Sequence, residues 1–314
     1  MTSQTFSPKI VAVGGGKGGI GKSMVSSGIA LALAEMGHKT LAIDLDLGGA
    51  NLHTWLGEEQ SKDNLGSFIN QQVKSMDALI HAAKQPNLSV IHGPREHLTA
   101  SNLKHMQKSR IYRHLATLPY DWIIVDLGAG SGFNVLDFFI AADRSIVVCV
   151  PEPTSIENVY RFIRAGFFRK LSEAHNLDAF QRFIRERVEG AHGVAGQVPR
   201  TVLAEIDERF PEIAADVRHY VARFVPMLLV NQIVVDDDRI LEAKLRIAVE
   251  RFLGLHVRTL GMVRHDEDVL RAIRKRQHPL MFNRESFAAS DLRSIAQRVI
   301  RNPGDTSITQ SSLF

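Results

Sequence analysis

Two lysines, Lys17 and Lys22, stand five positions apart in the stretch GGGKGGIGKS, which fills residues 14–23. Six glycines in ten residues do not suit a strand or a helix interior, where glycine costs backbone entropy. Glycine does let the backbone approach a ligand closely, so that N–H groups can point inward around an anion. Gly16 to Ser23 match the spacing G-x-x-x-x-G-K-[ST], after an apolar KIVAV and before a helical pattern. In that context the stretch reads as a phosphate-binding loop, with the N-terminal end of the next helix adding positive potential. Lys22 is then the cation for the β- and γ-phosphates, and the Ser23 hydroxyl is a ligand for Mg2+.

Carboxylates at two strand ends extend this chemistry. Asp126 closes the apolar run WIIVD, where an acid can hold Mg2+ through water, and DLGAG supplies the glycines of a loop that senses the phosphate. Asp44 and Asp46 close the run TLAIDLD. They alternate along the strand, and an acid there can ligate metal-bound water or orient an attacking water.

These groups need a scaffold. KIVAVGG, KTLAIDLDL, LSVIHG, YDWIIVDLGAG, RSIVVCVPEP, PMLLVNQIVV and HVRTLGMV read as strands. They are continuous Val/Ile/Leu runs, as in a parallel sheet covered on both faces. Helical patterns alternate with them, KSMVSSGIALALAEMG ending at Gly37 and RIYRHLATLP among them, so the expected fold is α/β, doubly wound, with a mostly parallel sheet. Between Pro153 and Pro226 lie about 70 residues with no strand signal, although one crossover helix would suffice. Apolar stripes there (Phe162, Ile163, Phe167; Phe180, Phe183, Ile184, Val188; Leu203, Ile206, Phe210; Ile213, Val217, Tyr220, Val221, Phe224) follow helical spacing. The expected organisation is one domain over 1–314, with a helical insertion at about 172–225 and a flexible polar tail over 302–314.

The glycine loop in the form K-G-G-x-G-K-[ST] resembles the deviant Walker A of the MinD/ParA family of P-loop ATPases. IDLDLGGANLHTWLG is similar to that family's switch I and VDLGAG to its switch II. VCVPEPTSIENVY, LLVNQ and LGMVRHDEDVLRA resemble later segments, in the family's order. Within the family, the GAG of switch II and the D-x-D-x-G-x-A-N-x-H pattern look most like the flagellar-number regulators. The resemblance implies an ATP-hydrolysing dimeric switch that positions or regulates a cellular structure such as a flagellum or division site, with ATP and Mg2+ as cofactors. It implies that Lys17 reaches across a nucleotide-sandwich homodimer to the partner's phosphates, as a cation supplied in trans. It gives Asp46 the orientation of the hydrolytic water and Asn231 the adenine edge. Nucleotide contacts then fall on Gly16, Lys17, Gly18, Gly19, Ile20, Gly21, Lys22, Ser23 and Met24, with Asn231 and Arg264 on the base side. The metal falls to Ser23 and Asp126. Met24 stands where the family usually has a second hydroxyl, and Val263-Arg264 where an Ile-Pro pair is common. A protein partner that reads the nucleotide state is also implied.

Other function classes remain to be weighed. A partition ATPase that binds nonspecific DNA when ATP-bound uses the same switch. The formal charge of +4 permits nucleic acid without arguing for it. An iron–sulfur carrier of related fold is disfavoured by the single cysteine, Cys149, and a tyrosine kinase of related fold by four tyrosines that do not cluster at the tail. In YRFIRAGFFRK, phenylalanines and arginines alternate in a way that suits either a contact surface or a crossover helix with its phenylalanines on the sheet. Leu292, Ile295, Ala296, Val299 and Ile300 form a stripe expected to pack on the sheet. Beyond them the tail DTSITQSSLF has no Lys or Arg, which argues against direct membrane binding. With no secretory signal at MTSQTFSP and no apolar run of spanning length, the expected location is cytoplasmic.

Overall fold

The computed structural model describes residues 7–95, 103–189, 198–234 and 240–301. Strand β1 (Lys9–Gly14) leads through the glycine loop into α1 (Lys22–Glu35) and β2 (Thr40–Leu45). Short helices α2 (Leu52–Leu56) and α3 (Leu65–Ile69) precede β3 (His81–Ala82) and β4 (Leu88–Ile91). Next come α4 (His105–Leu115), β5 (Trp122–Leu127), α5 (Phe133–Ala141) and β6 (Arg144–Cys149). Four helices follow: α6 (Pro153–Ser172), α7 (Asp178–Glu189), α8 (Pro199–Arg209) and α9 (Pro211–Ala222). The remaining elements are β7 (Met227–Ile233), α10 (Leu241–Leu253), β8 (Arg258–Arg264), α11 (Glu267–Arg274), α12 (Pro279–Phe282) and α13 (Phe287–Arg301).

The strands form one sheet in the order β3-β4-β2-β5-β1-β6-β7-β8. Every pairing is parallel except β3 on β4. Seven strands agree with the apolar runs. The eighth, β3, has two residues and no run to announce it. β1 lies between β5 and β6, so the chain winds outward from it in both directions. The loop after β1 therefore opens where strand order reverses, which is where open α/β sheets bind ligands.

Both faces of the sheet are covered. One carries α1 and α13, whose Leu31, Leu33, Leu292, Ile295, Ala296 and Val299 pack with Val11, Val13 and Ile124. Apolar residues on every side of α1 suit a helix enclosed between sheet and neighbouring helix. Gly28 keeps α1 close to α13, since a Cβ there would lie 2.7 Å from Leu292 Cδ1.

The opposite face carries α5 and α6, and beyond them α7, α8 and α9. Phe162 and Phe167 are fully buried and Phe168 nearly so, which makes α6 a crossover helix with its phenylalanines inward. Its cations are engaged: Arg161 pairs with Glu157, Arg169 with Asp137, and Lys170 lies 4.3 Å from the centroid of the Tyr220 ring. Phe210, at the α8–α9 junction, meets Phe180 and Phe183 of α7 at 5.7 and 5.6 Å between ring centroids. Val188 departs from its stripe and is exposed. Most of the break GAHGVAGQVP and the tail 302–314 lie outside the described residues.

Candidate functional site at the end of the central strand

The glycine loop is shaped by close neighbours. Gly19 and Gly21 have φ of +78° and +85°, where a side chain would be strained. A Cβ on Gly16 would lie 2.7 Å from Asn158 O, and one on Gly21 would lie 2.3 Å from Asn231 Nδ2. α1 begins at the loop with Gly21 as N-cap, no side-chain cap and no acid in its first turn. Its leading N–H groups and positive dipole end are therefore left for an anion.

Three acids gather below. Asp44 and Asp126 stand in register on neighbouring parallel strands, each 1% exposed. Burial raises both carboxyls above the usual range. The Asp126 charge adds to the effect on Asp44, while hydrogen bonds from Ser23 and Ser26 and the charge of Lys22 oppose it on Asp126. Asp44 accepts from the backbone N–H of Asp46 at 3.0 Å and of Leu52 at 2.9 Å, which fastens the start of α2 to β2. Asp46 accepts from Gly48 N at 3.0 Å, and its Oδ1 would be 3.1 Å from a Cβ on Gly128. Gly128 of DLGAG thus leaves room for this carboxylate beside the loop that follows β5. Gly130 N donates to Gly15 O at 3.2 Å and ties that loop to the phosphate loop.

The two lysines behave differently. Lys22 is 8% exposed and donates to Lys17 O at 3.3 Å across the loop. Burial lowers its pKa, and Asp126 and Asp46 oppose that. Lys17 is half exposed, with its Nζ 3.1 Å from Glu152 Oε2 and 3.4 Å from Thr154 Oγ1 at the start of α6. It therefore points across the mouth of the loop rather than into it.

Toward β7, where the sequence reading expects the base, Asn231 is buried and donates from Nδ2 to Ile20 O at 2.9 Å. Its Oδ1 is buried with no hydrogen-bond partner, a free acceptor beside the loop. Arg264 is committed elsewhere: its guanidinium makes two bonds to Asp291 of α13, at 2.9 and 2.8 Å, and lies 4.3 Å from the Phe287 ring centroid. Met24 is buried in the core, and its carbonyl accepts from His278 Nε2 at 3.0 Å.

Lys22, Ser23, Asp44, Asp46, Asp126 and Asn231 thus come together around the loop, and the Arg264 side chain turns to α13. Sequence reasoning did not single out Ser26, whose hydroxyl meets Asp126 Oδ1 at 2.7 Å. Its signal was one helical turn of spacing from Ser23.

Uncapped N–H groups at a glycine loop, a buried lysine and paired strand-end acids on a doubly wound sheet define a P-loop NTPase of the MinD/ParA type. The ParA family model, described as NUBPL iron-transfer P-loop NTPase, matches residues 7–174, and the chain belongs to that family. It is 26% identical over 293 residues to antiactivator FleN of Pseudomonas aeruginosa, covering 93% of this chain and 86% of FleN. It is 30% identical over 158 residues to flagellum site-determining protein YlxH of Helicobacter pylori, an alignment spanning about half of each chain (50% and 53%). Among solved structures, the Mg-ADP complex of septum site-determining protein MinD from Pyrococcus horikoshii superposes with TM-score 0.62 at 18% identity, covering 95% of this chain and 98% of that one. At that identity the likeness speaks for the fold.

Proposed function

We propose that the chain is an ATP-hydrolysing dimeric switch whose nucleotide state is read by a protein partner to set the place or number of a cellular structure, with a flagellum the leading candidate. The observation that carries the reading is the convergence of Lys22, Ser23 and Asp126 on the open N-terminus of α1. The residues fit a magnesium nucleotide. Ser23 and Asp126 offer the hard oxygen donors that Mg2+ takes. The uncapped amides and Lys22 suit a polyphosphate, and the unpaired Asn231 Oδ1 suits the exocyclic amine of adenine. The flagellar direction rests on the similarity to FleN and YlxH.

MgATP, when bound, supplies the transferable phosphoryl group and the divalent charge. The protein's part is positioning and electrostatics. The loop amides from Gly16 to Ser23 hold the phosphates, and Lys22 offsets charge that grows on them. Ser23 and Asp126 would hold the metal, which would supply divalent charge against the phosphates. Asp46, braced by Gly48 N against Gly128, orients the attacking water and takes up its hydrogen bond. Lys17 leaves Glu152 and Thr154 to contact the phosphates held by a second copy of the chain.

The test is solution mass and turnover with ATP, ADP and no nucleotide. The reading expects ATP-dependent dimerisation by wild type and by Asp46→Ala, with turnover lost in the variant. Lys17→Ala combined with Asp46→Ala should bind ATP yet stay monomeric. Equal dimerisation by the single and double variants would remove Lys17 from the interface. Tight, salt-sensitive binding to nonspecific DNA only with ATP would turn the reading toward a partition ATPase. An iron–sulfur role has little support, because the chain has a single cysteine, Cys149, and it is buried in β6.

A further inference from the structure

Ser26 is fully buried on α1, one helical turn beyond Ser23. Its Oγ lies 2.7 Å from Asp126 Oδ1 and 3.0 Å from Lys22 O. A hydroxyl has one proton to give. The shorter contact, to a carboxylate, is the charge-assisted one and takes it. The backbone carbonyl, four residues back, is the local alternative available to a serine within a helix. The Ser23 hydroxyl lies near the same carboxylate and helps to hold its pKa down. Two hydroxyls on one face of α1, three residues apart, therefore stand beside one carboxylate of β5, and Ser26 is the one hydrogen-bonded to it. They are not equivalent, because Ser23 sits at the loop where a metal ion would lie and Ser26 sits a turn deeper, sealed from solvent.

We propose that Ser26 is a positioning residue for the metal site: by clamping Asp126 Oδ1 it fixes the carboxylate's rotation, so that the edge offered to Ser23 and to Mg2+ is set before the ion arrives. The proposal rests on the reading of Asp126 and Ser23 as the magnesium site. Without the clamp, Asp126 loses its bond to Ser26 and can turn about its Cβ–Cγ bond. Ser23 is then left both to restrain the acid and to serve the metal. Partners that orient a metal ligand in this way are worth about 10- to 100-fold in metal affinity.

The experiment titrates MgCl2 into a fixed mixture of protein and fluorescent mant-ADP and follows binding, so no turnover is needed. Ser26→Ala should raise the Mg2+ concentration at half-saturation by about tenfold or more, with little change in the weaker mant-ADP binding measured in EDTA. Ser26→Thr keeps the hydroxyl and should restore the wild-type midpoint. Ser27→Ala is the control. That side chain is equally buried, but its hydroxyl bonds only to Ser23 O and Met24 O, at 2.6 and 3.1 Å. An unchanged midpoint in Ser26→Ala overturns the proposal, as does an equal shift in Ser27→Ala. A wild-type protein that binds mant-ADP with no dependence on Mg2+ overturns the magnesium-site reading itself, and the proposal with it.

Discussion

At the phosphate end of the cleft the backbone does most of the positioning. Gly19 and Gly21 hold left-handed φ, α1 starts without a side-chain cap, and the buried acids lie in strand register below. At the β7–β8 end, the proposed base side, the work falls to single side chains. Asn231 crosses from β7 to the loop with one acceptor to spare, and Arg264, paired on β8 with Ile233, gives its charge to Asp291. Geometry made by backbone is set by local sequence and tolerates little substitution. Geometry made by side chains depends on which distant partner each one finds.

The largest expected effect is at the phosphate end. Lys22→Ala should weaken MgATP binding by about a hundredfold or more, since charge-assisted contacts are worth about 1.5–3 kcal/mol each. Isothermal titration calorimetry measures it, and a wild-type affinity would break the contrast at its strongest point. Asp46→Ala should keep ATP affinity within about threefold while turnover falls roughly a hundredfold or more, as for other groups that orient and deprotonate water. A variant that turned over normally would hand that role to another acid, Asp44 being nearest in sequence.

A third test asks what supports the phosphate end from behind. His278 is fully buried, accepts from Leu280 N at Nδ1 and offers Nε2 to Met24 O on α1. Burial pushes its pKa down to about 4, against an ordinary 6.5. The unfolded chain therefore takes up a proton first as pH falls. The stabilisation is complete above about pH 6.5 and is lost progressively toward pH 4, about 3 kcal/mol over the whole window. Between pH 7 and 5 that amounts to about 2 kcal/mol, or roughly 3 °C in Tm. His278→Gln should flatten the wild-type fall in Tm by about that much, and an identical slope in both proteins would show that the histidine is not held neutral.

The same contrast separates what was legible in the sequence from what was not. β1, β2, β5, β6 and β7 could be read because strands covered on both faces are continuous apolar runs. The glycine loop could be read because its residues are constrained by one another. The four helices between β6 and β7 followed from their apolar stripes. By contrast, β3 is two residues pinned by its hairpin with β4, and nothing local marks it. The His278–Met24 contact joins positions 254 apart in the chain, and Lys17–Glu152 joins positions 135 apart. Ser26 lay within a stretch already singled out. Its partner Asp126 is 100 residues away, so its spacing from Ser23 acquires meaning only once β5 is placed beside α1.

The smallest effects belong to the base end, where two substitutions should part company. Asn231→Ala removes the free acceptor and the bond to Ile20 O. It should lower the preference for ATP over GTP by about tenfold, because a buried polar contact to a base edge is worth about 1–2 kcal/mol. Arg264→Ala should leave nucleotide affinity within about twofold, because its guanidinium is spent on Asp291 and the Phe287 ring. Its cost should appear in stability. A partly exposed bidentate pair is worth about 1 kcal/mol, or about 1–2 °C in Tm for a chain of this size. Asp291→Ala should cost at least as much, since it removes the same pair and also the acceptor of the Arg264 backbone N–H at 2.9 Å. Competition between ATP and GTP, read beside melting curves of the three variants, decides the matter. If Arg264→Ala instead loses base preference as Asn231→Ala does and melts like wild type, the arginine leaves Asp291 when nucleotide binds. The base end would then be assembled by the ligand and not, like the phosphate end, before it arrives.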